Sequence, residues 1–498
     1  LIKKEKSVDF IKKIILAISR FFNKKSIAGI DGINILKNEI LTWRSSPERT
    51  MQLKGEMYYE GVHDILARKR TVIGEGGELQ EVTNLPNNRI IDNQYAKLVN
   101  QKANYLLGQP FVVSTDNISY MECLKQIFNK KFMRNIKKAG KFMLNTGMAW
   151  IYPNYDSSGQ LNFKIFSGYE ILPFWEDDEK TRVRLAVRVY KTDEYTAAGR
   201  KTEVERAEVY TPLGVYKFIL NGETIESDNT TPYSTYVNTD NDSYNWGRIP
   251  LVPLKYHEGT PLIKRVKSLQ DGINIMLSDF ENNMQEDARN TILVIRNYDG
   301  QDLGEFRQKL ALYGAVKVKS NDSEKGGVDT LEVKVNVDNY KAIIDIFKKA
   351  LIENGMGYDA KDDRMSGNPN QMNIQSMYSD IDLDANDMET ELQAAFEDLL
   401  WFVKAHLSNM GYGDFENEEA TITFNRDILI NETEAIESCV KSVGILSDET
   451  IIEQHPWVDD VQKELERIKK QKEEQMQDQY GAFVDSNAQS EGGDVNAE

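Results

Sequence analysis

Side chains that could do chemistry are few in this sequence, and they are scattered. Three carboxylates, Asp359, Asp362 and Asp363, crowd one short polar stretch, and oxygen clusters of that kind bind Mg²⁺ or Ca²⁺. Their spacing lacks the alternation and central glycine of a calcium loop. Asn238, Asp240 and Asp242 do alternate, but no distal glutamate completes the set. The four histidines, His63, His257, His406 and His455, stand far apart, with no HExxH and no cysteine beside them. Each reads as a surface or core-edge residue. There is no GxxxxGK followed by Ser or Thr, no GxGxxG after a strand, no GxSxG, and no serine or cysteine with an identifiable base. The glycine cluster Gly74–Gly77 reads as a loop. The motifs define no active site, no metal site and no need for a cofactor.

Charge narrows the partners. The 498 residues carry 61 Lys and Arg against 79 Asp and Glu, a net charge of −18. A freestanding nucleic-acid binder is usually basic, because neutralised phosphates supply most non-specific affinity. If this chain meets DNA, it does so without gripping it. Lysines gather at the start (Lys3, Lys4, Lys6, Lys12, Lys13), read as a solvated helix face, and again within 121–143. Cys123 and Cys439 are too far apart in sequence and too few for a disulfide framework, which implies folding in a reducing, intracellular place. No run approaches the roughly 18 apolar residues of a membrane span. The Val8–Phe22 stretch, interrupted by Lys12, Lys13 and Arg20, reads as a short amphipathic arm that docks on a partner.

The elements expected around these residues fall into blocks; 498 residues allow about three domains, and 40% hydrophobic residues suffice for sizeable cores. Helical patterning dominates 51–107 and 121–143. From 148 to 220 the pattern alternates over strand lengths, predicting an antiparallel β region, and the polar stretch 226–244 predicts an exposed loop. Leu262, Val266, Leu269, Ile273, Met276, Phe280 and Met284 then form a one-sided helical stripe about 35 Å long. A small module follows: strand 291–298, helix 303–313, strand 315–319, a glycine loop at 320–327 and strand 331–337. A second helix, 338–354, is stopped by Gly355 and Gly357. A polar loop leads into an acidic helix over about 373–407, then a strand over 421–430 and short helices capped at Ser447 and starting near Val458. The fold class is α+β. Two helices bracketing an inserted module make a stalk with a head on its tip.

Several blocks resemble bacteriophage portal proteins of the type found in long-tailed phages of Gram-positive bacteria. They are Tyr58–Ile65 with Arg68–Arg70, Asn87–Asn93 with Ala96–Val99, Tyr105–Pro110, Ile249–Pro253, Val266–Asp271, Leu277–Asp279, Ala288–Val294, Asp362–Asn368, Gly444–Thr450 and Val458–Asp460. They occur in order over about residues 50–475. Gly272, Asn274 and the acidic run Asp380–Glu391 depart from the expected pattern.

The resemblance implies a portal-like fold. Its parts would be an arm at 1–25, a wing at 26–258, stem helices at 259–287 and 337–356, a clip at 288–336 and a tunnel loop at 357–372. A wing helix and strand would follow at 373–432, a crown at 433–475 and a disordered acidic tail at 476–498. It implies a ring of about twelve subunits at one capsid vertex, a conduit for double-stranded DNA in packaging and ejection. The partners would be the large terminase motor, a head-completion or adaptor protein, and the major capsid and scaffold proteins, with no membrane. The chain would be no enzyme, and would assemble in the host cytoplasm and reside in the virion. The channel would be lined by Lys348 and Lys349 on the stem and by Asp359, Lys361, Asp362, Asp363 and Arg364 in the loop. Arg296, Asn297, Lys317 and Lys319 in the clip would meet the motor or adaptor. Twelve copies at −18 each total roughly −216, so such a ring repels DNA on average and lets it slide. Two alternatives stand beside this: a metal-dependent phage nuclease using Asp359, Asp362 and Asp363, and a minor capsid or scaffold protein without a channel.

Overall fold

The computed structural model describes residues 32–490 apart from 74–76, 84, 157, 196–198, 223, 229, 239–242, 288–290, 297–326, 333–336, 361–369, 427–430 and 459–460. The expected arm at 1–25, the clip helix and strand at 303–319 and the loop residues 361–369 lie outside the described residues.

The amino-terminal part is helical: α1 (Gly32–Arg44), α2 (Pro47–Tyr59), α3 (Gln94–Leu107), α4 (Ile118–Ile127) and α5 (Lys130–Thr146). Side-chain caps set their starts. Ser46 accepts from the Arg49 N–H, Asn93 from Ala96, Asn117 from Tyr120, and Asn129 from Lys131 and Phe132. Residues 60–93 depart from the helical expectation. A single 3-10 turn is followed by the short hairpin Thr71–Ile73/Leu79–Glu81 and an extended stretch to Asn93. Gly77, at φ 84°, leads into the second strand of the hairpin, and the extended stretch is held by side chains from a distant helix, which local periodicity does not register.

The β region is antiparallel, as expected. Six strands form one sheet, in which Val183–Tyr195, Lys201–Thr211 and Gly214–Asn221 pair in succession. A three-stranded sheet pairs Met148–Tyr155 with Leu161–Ser167 and with Val252–Lys255. Alternate residues Leu185, Val187 and Val189, with Val209, Phe218 and Leu220, pack against Leu36 and Ile40 of α1. Stretch 226–244 is not simply an exposed loop. Its strand Tyr233–Ser234 joins the large sheet, Tyr236 is buried with its hydroxyl donating to Thr211 O at 2.7 Å, and buried Asp228 receives Arg206 at 2.5 Å.

Helices α6 (Ile263–Asp287) and α7 (Val337–Asn354) carry between them the antiparallel pair Thr291–Arg296/Gly327–Glu332. The second of these strands begins where a glycine loop was expected. The long α8 (Gln371–Asn409) follows, and beside it Thr421–Thr423 pairs with Val112–Ser114. A Phe cluster, Phe111, Phe128, Phe132, Phe396 and Phe424, fills the core there with ring centroids 4.8–6.2 Å apart.

The chain divides into two compact units. One holds residues up to Gly357 together with Ile381–Asp427, the other Tyr358–Asp380 and Ile428–Glu498. In the second unit are α9 (Glu432–Ser442), α10 (Asp448–Glu453) and α11 (Val461–Ser490). Ser447 caps α10 by accepting from the Thr450 N–H, as expected. The first turns of α8 group here because the Gln371 N–H donates to Glu434 Oε2 at 2.8 Å and Gln371 Oε1 accepts from the Asn431 N–H at 3.0 Å. The expected boundary at 372/373 therefore falls inside a tied segment. Disorder was expected from 476, yet α11 continues to Ser490, because a charge-poor segment can still extend a helix already nucleated by Val461–Lys472.

Candidate functional site

Of the residues expected to line a channel, Lys348 and Lys349 lie on α7. Lys349 is exposed, whereas Lys348 makes an ion pair with Asp92 at 2.6 Å and is half-buried. Asp359 is half-buried at the start of the second unit. Lys361, Asp362, Asp363 and Arg364 lie outside the described residues, as do Asn297, Lys317 and Lys319. The backbone of Arg296 pairs with Gly327 at the end of its strand. Among the described residues no group of three or more His, Cys, Asp or Glu is arranged to hold a metal ion, and no helix is long and apolar enough to cross a membrane.

The structure also shows what positions α6, and this was missed in the sequence. Gln270, Asn274, Ser278 and Asn282 recur every four residues on α6 and are fully buried. Each accepts a backbone N–H from the chain at 88–95. Asn282 Oδ1 takes Asn88 at 2.8 Å, Ser278 Oγ takes Ile90 at 2.9 Å, Asn274 Oδ1 takes Asp92 at 3.1 Å and Gln270 Oε1 takes Tyr95 at 2.9 Å. Four helical residues rise about 6 Å and two extended residues about 6.6 Å, so the rungs at Asn88, Ile90 and Asp92 run in near register, and the last step, to Tyr95, takes three residues because α3 has begun at Gln94. The side chains of a helix here do what a neighbouring strand would do. The expected apolar stripe holds only in part, with Leu262, Val266 and Ile273 buried and Met284 exposed. A polar residue every fourth position, Gln-Asn-Ser-Asn, was the available signal.

His63 closes this ladder rather than sitting at a surface or core edge. Its Nδ1 accepts from Asn274 Nδ2 at 2.7 Å, so its Nε2 carries the proton and donates to Tyr58 O at 2.9 Å. The Oδ1 of Asn274 is already engaged by Asp92 and by Gln270 Nε2 at 3.0 Å, so the amide cannot turn round to serve an imidazolium. Burial pushes the His63 pKa down, in keeping with a neutral ring. Near it Lys267 reaches Asp64 and Asp271, each at 2.7 Å. Burial raises the Asp64 carboxyl, but Lys267 and Lys54 overcome that and hold it at about 2.

Helices α6 and α7 approach closely at Gly272. A Cβ there would lie 2.8 Å from the Phe347 ring. Farther along, the rings of Phe280 and Tyr340 meet at a tilt with centroids 5.2 Å apart, and Asn283 Nδ2 donates to Tyr340 Oη at 2.9 Å. The glycine that broke the expected stripe is the one that admits Phe347.

Both helices are anchored at one buried charge pair. Lys102 of α3 meets Asp384 of α8 at 2.7 Å and also donates to Met356 O at 2.9 Å. Asp384 Oδ1 accepts from Tyr256 Oη at 2.9 Å and His257 Nε2 at 2.8 Å. Tyr256 and His257 shortly precede α6, and Met356 directly follows α7. Burial pushes the Asp384 carboxyl up, but His257 and Lys102 outweigh it and hold the pKa below the ordinary range. His257, Glu258 and Met356 have φ values of 41°, 57° and 52°, strained for non-glycine residues. Part of the acidity of α8, a departure from the expected pattern, is thus internal: besides Asp384, Asp382 and Glu389 are met by Arg426, and Tyr105 donates to Asp382 at 2.7 Å, whereas Asp380 and Asp387 are exposed.

Two long helices with a small β pair between them, tied at one buried charge pair into a mixed α+β body, are the layout that the described residues show. Residues 45–478 match the family "Phage portal protein, SPP1 Gp6-like". The chain is 28% identical over 456 residues to the portal protein of Bacillus phage SPP1, covering 90% of this chain and 87% of that one. It is 26% identical over 459 residues to the portal protein of Clostridium phage phiCD119, covering 87% and 96%. Among solved structures it is similar to a chain of the native gene transfer agent virion (12% identical, TM-score 0.37) and one of the neck of the empty particle (11%, TM-score 0.40). Each match covers 72% of this chain and 88% of the other. The chain belongs to the phage portal protein family. Its role is that of a portal, a structural component of the virion, and not that of a nuclease.

Proposed function

We propose that the chain closes into a ring of about twelve subunits at one capsid vertex, and that double-stranded DNA passes through it during packaging and ejection. The observation that carries this is the family match across residues 45–478. The α6–β pair–α7 layout agrees with it as stem and clip. The segment after Met356 is the tunnel loop in this reading, with Lys361 and Arg364 as transient phosphate contacts and Lys349 as the stem cation. Lys348 is the weaker candidate, since Asp92 already neutralises it. The clip residues Arg296, Asn297, Lys317 and Lys319 face the large terminase motor and later the adaptor. The ring performs no catalysis of its own, and it is built in the host cytoplasm. A ring of one chain needs head-to-tail interfaces that close.

Negative-stain electron microscopy with light-scattering mass on the same sample tests it. Rings with a central hole and the mass of about a dozen protomers are expected. A monomer that cuts DNA with Mg²⁺ would sink the reading. Charge reversal at Lys349, Lys361 and Arg364 should lower DNA packaging or retention in a phage complementation assay, and unchanged values would remove these residues from the channel.

A further inference from the structure

Helix α5 carries a charge pattern that neither its folding nor the channel explains. Its 17 residues include six cations, Lys130, Lys131, Arg134, Lys137, Lys138 and Lys141, and no acid, in a chain of net charge −18. At about 100° per residue all six fall within roughly 120° of arc, opposite buried Phe132, Ile136, Ala139 and Met143. The stripe from 130 to 141 is about 16 Å long. Lys141 donates to Tyr59 Oη at 3.0 Å and Lys138 lies over the Phe142 ring at 5.1 Å. The side chains of Lys130, Lys131, Arg134 and Lys137 make no ion pair or hydrogen bond among the described residues. Asp156, which feels Lys131, is already engaged by Ser158 and Gln160.

Folding alone would arrange this helix differently. The amino-terminal end of a helix favours acids, and exposed faces gain from Glu–Lys pairs four apart. Here the first two helical positions are Lys130 and Lys131, with no acid in the first turn. Their charges oppose the helix dipole, so the arrangement costs stability and needs another cause.

We infer that this face of α5 is a contact for duplex DNA outside the channel. A rigid cationic stripe of this length spans several phosphates, at one negative charge per roughly 1.7 Å of duplex. Duplex DNA as occupant rests on the portal reading. A contact of four cations is strongly salt-dependent, so it holds DNA loosely and releases it readily.

The test uses the assembled full-length ring and a fluorescent, covalently closed DNA minicircle, which cannot thread a closed channel. Anisotropy titrations at several salt concentrations compare the wild type with the triple variant Lys130→Glu, Arg134→Glu, Lys137→Glu. The triple variant should bind at least about tenfold more weakly at low salt, with a log–log salt slope flatter by about 0.9 per lost contact. Lys130→Glu alone should raise thermal stability while weakening binding, opposite signs that a structural role would not produce. Three results would overturn the inference: no minicircle binding by wild-type rings, equal binding by the triple variant, or a triple variant that no longer reaches the wild-type ring mass, which would assign the stripe to subunit contact. Failure of the wild type to form rings is read separately, and it counts against the portal reading itself.

Discussion

Lys102 and Asp384 meet at 2.7 Å with both side chains only 1% exposed, and around them converge the residues that lead into α6 and out of α7. Nothing in one element alone requires this pair. It is satisfied only when α3, α8 and both helix ends arrive together, so it fixes where the two helices leave the body. A buried charge pair adds little net stability against an apolar substitute, but breaking it strands a charge.

Lys102→Met should therefore cost about 3–5 kcal/mol in urea unfolding of the purified chain, because Asp384 stays buried without its ammonium. Adding Asp384→Leu should recover most of that loss. Lys102→Met should also speed hydrogen exchange in peptides covering 350–360, since the Met356 carbonyl loses its donor. A double variant no more stable than the single would show that the node is held by something other than this charge.

The ladder on α6 predicts a graded series. Ser278→Ala leaves only the Ile90 N–H without its acceptor, a cost of about 1–3 kcal/mol, and Ser278→Thr should restore most of it. Asn274→Leu is the severe case, because Asp92, Gln270 and His63 all lose a partner at once. It should lower stability by more than Ser278→Ala does. Equal thermal shifts for the two would contradict the hydrogen-bond count.

Gly272 gives a prediction whose sign depends on its neighbour. Glycine to alanine inside a helix gains about 1 kcal/mol. Here the added methyl meets the Phe347 ring, which is half-buried and can give way only in part. Gly272→Ala should be near neutral, Gly272→Leu should cost about 1–3 kcal/mol, and Gly272→Ala combined with Phe347→Leu should show the helix gain. A double-mutant cycle in thermal unfolding measures the coupling, and no coupling would separate the two residues.

What could be read in the sequence was what periodicity records. The alternation in 148–220 placed the strands, and the stripe and glycine stops placed α6 and α7 within a few residues. Family membership was legible as an ordered series of short blocks. What could not be read were long-range polar matches. Asn274 looked like a defect in an apolar stripe because its partners, Asp92 and His63, lie about two hundred residues away. Asp384 looked like one more acid in an acidic run until Lys102 and Tyr256 reached it. Buried Asp228 and Tyr236 sat in a stretch whose composition spelled loop: Arg206 and the neighbouring Thr230 and Thr231 satisfy the first, and the Thr211 carbonyl the second. The cations of α5 were visible as a cluster. That they share one face, free of acids, became clear only with the helix bounds.

Glu56 of α2 supplies the pH dependence. Burial pushes its pKa from an ordinary 4.5 up to about 7, only partly offset by the Asn145 amide donating at 3.3 Å, with Glu60 adding to the rise. The folded chain therefore binds a proton that the unfolded chain has released between about pH 4.5 and 7. Stability from this group is highest below the lower value and falls as pH rises through the window, by roughly 3 kcal/mol in all. His63 acts in the opposite sense. Its pKa is lowered by burial, so its contribution is complete above about 6.5 and is lost as pH falls. Glu56→Gln removes the first effect alone. Urea unfolding at pH 5 and pH 8 should show the variant close to the wild type at the lower pH and more stable by about 2–3 kcal/mol at the higher. An equal difference at both pH values would mean that Glu56 ionises in the folded chain as it does in water.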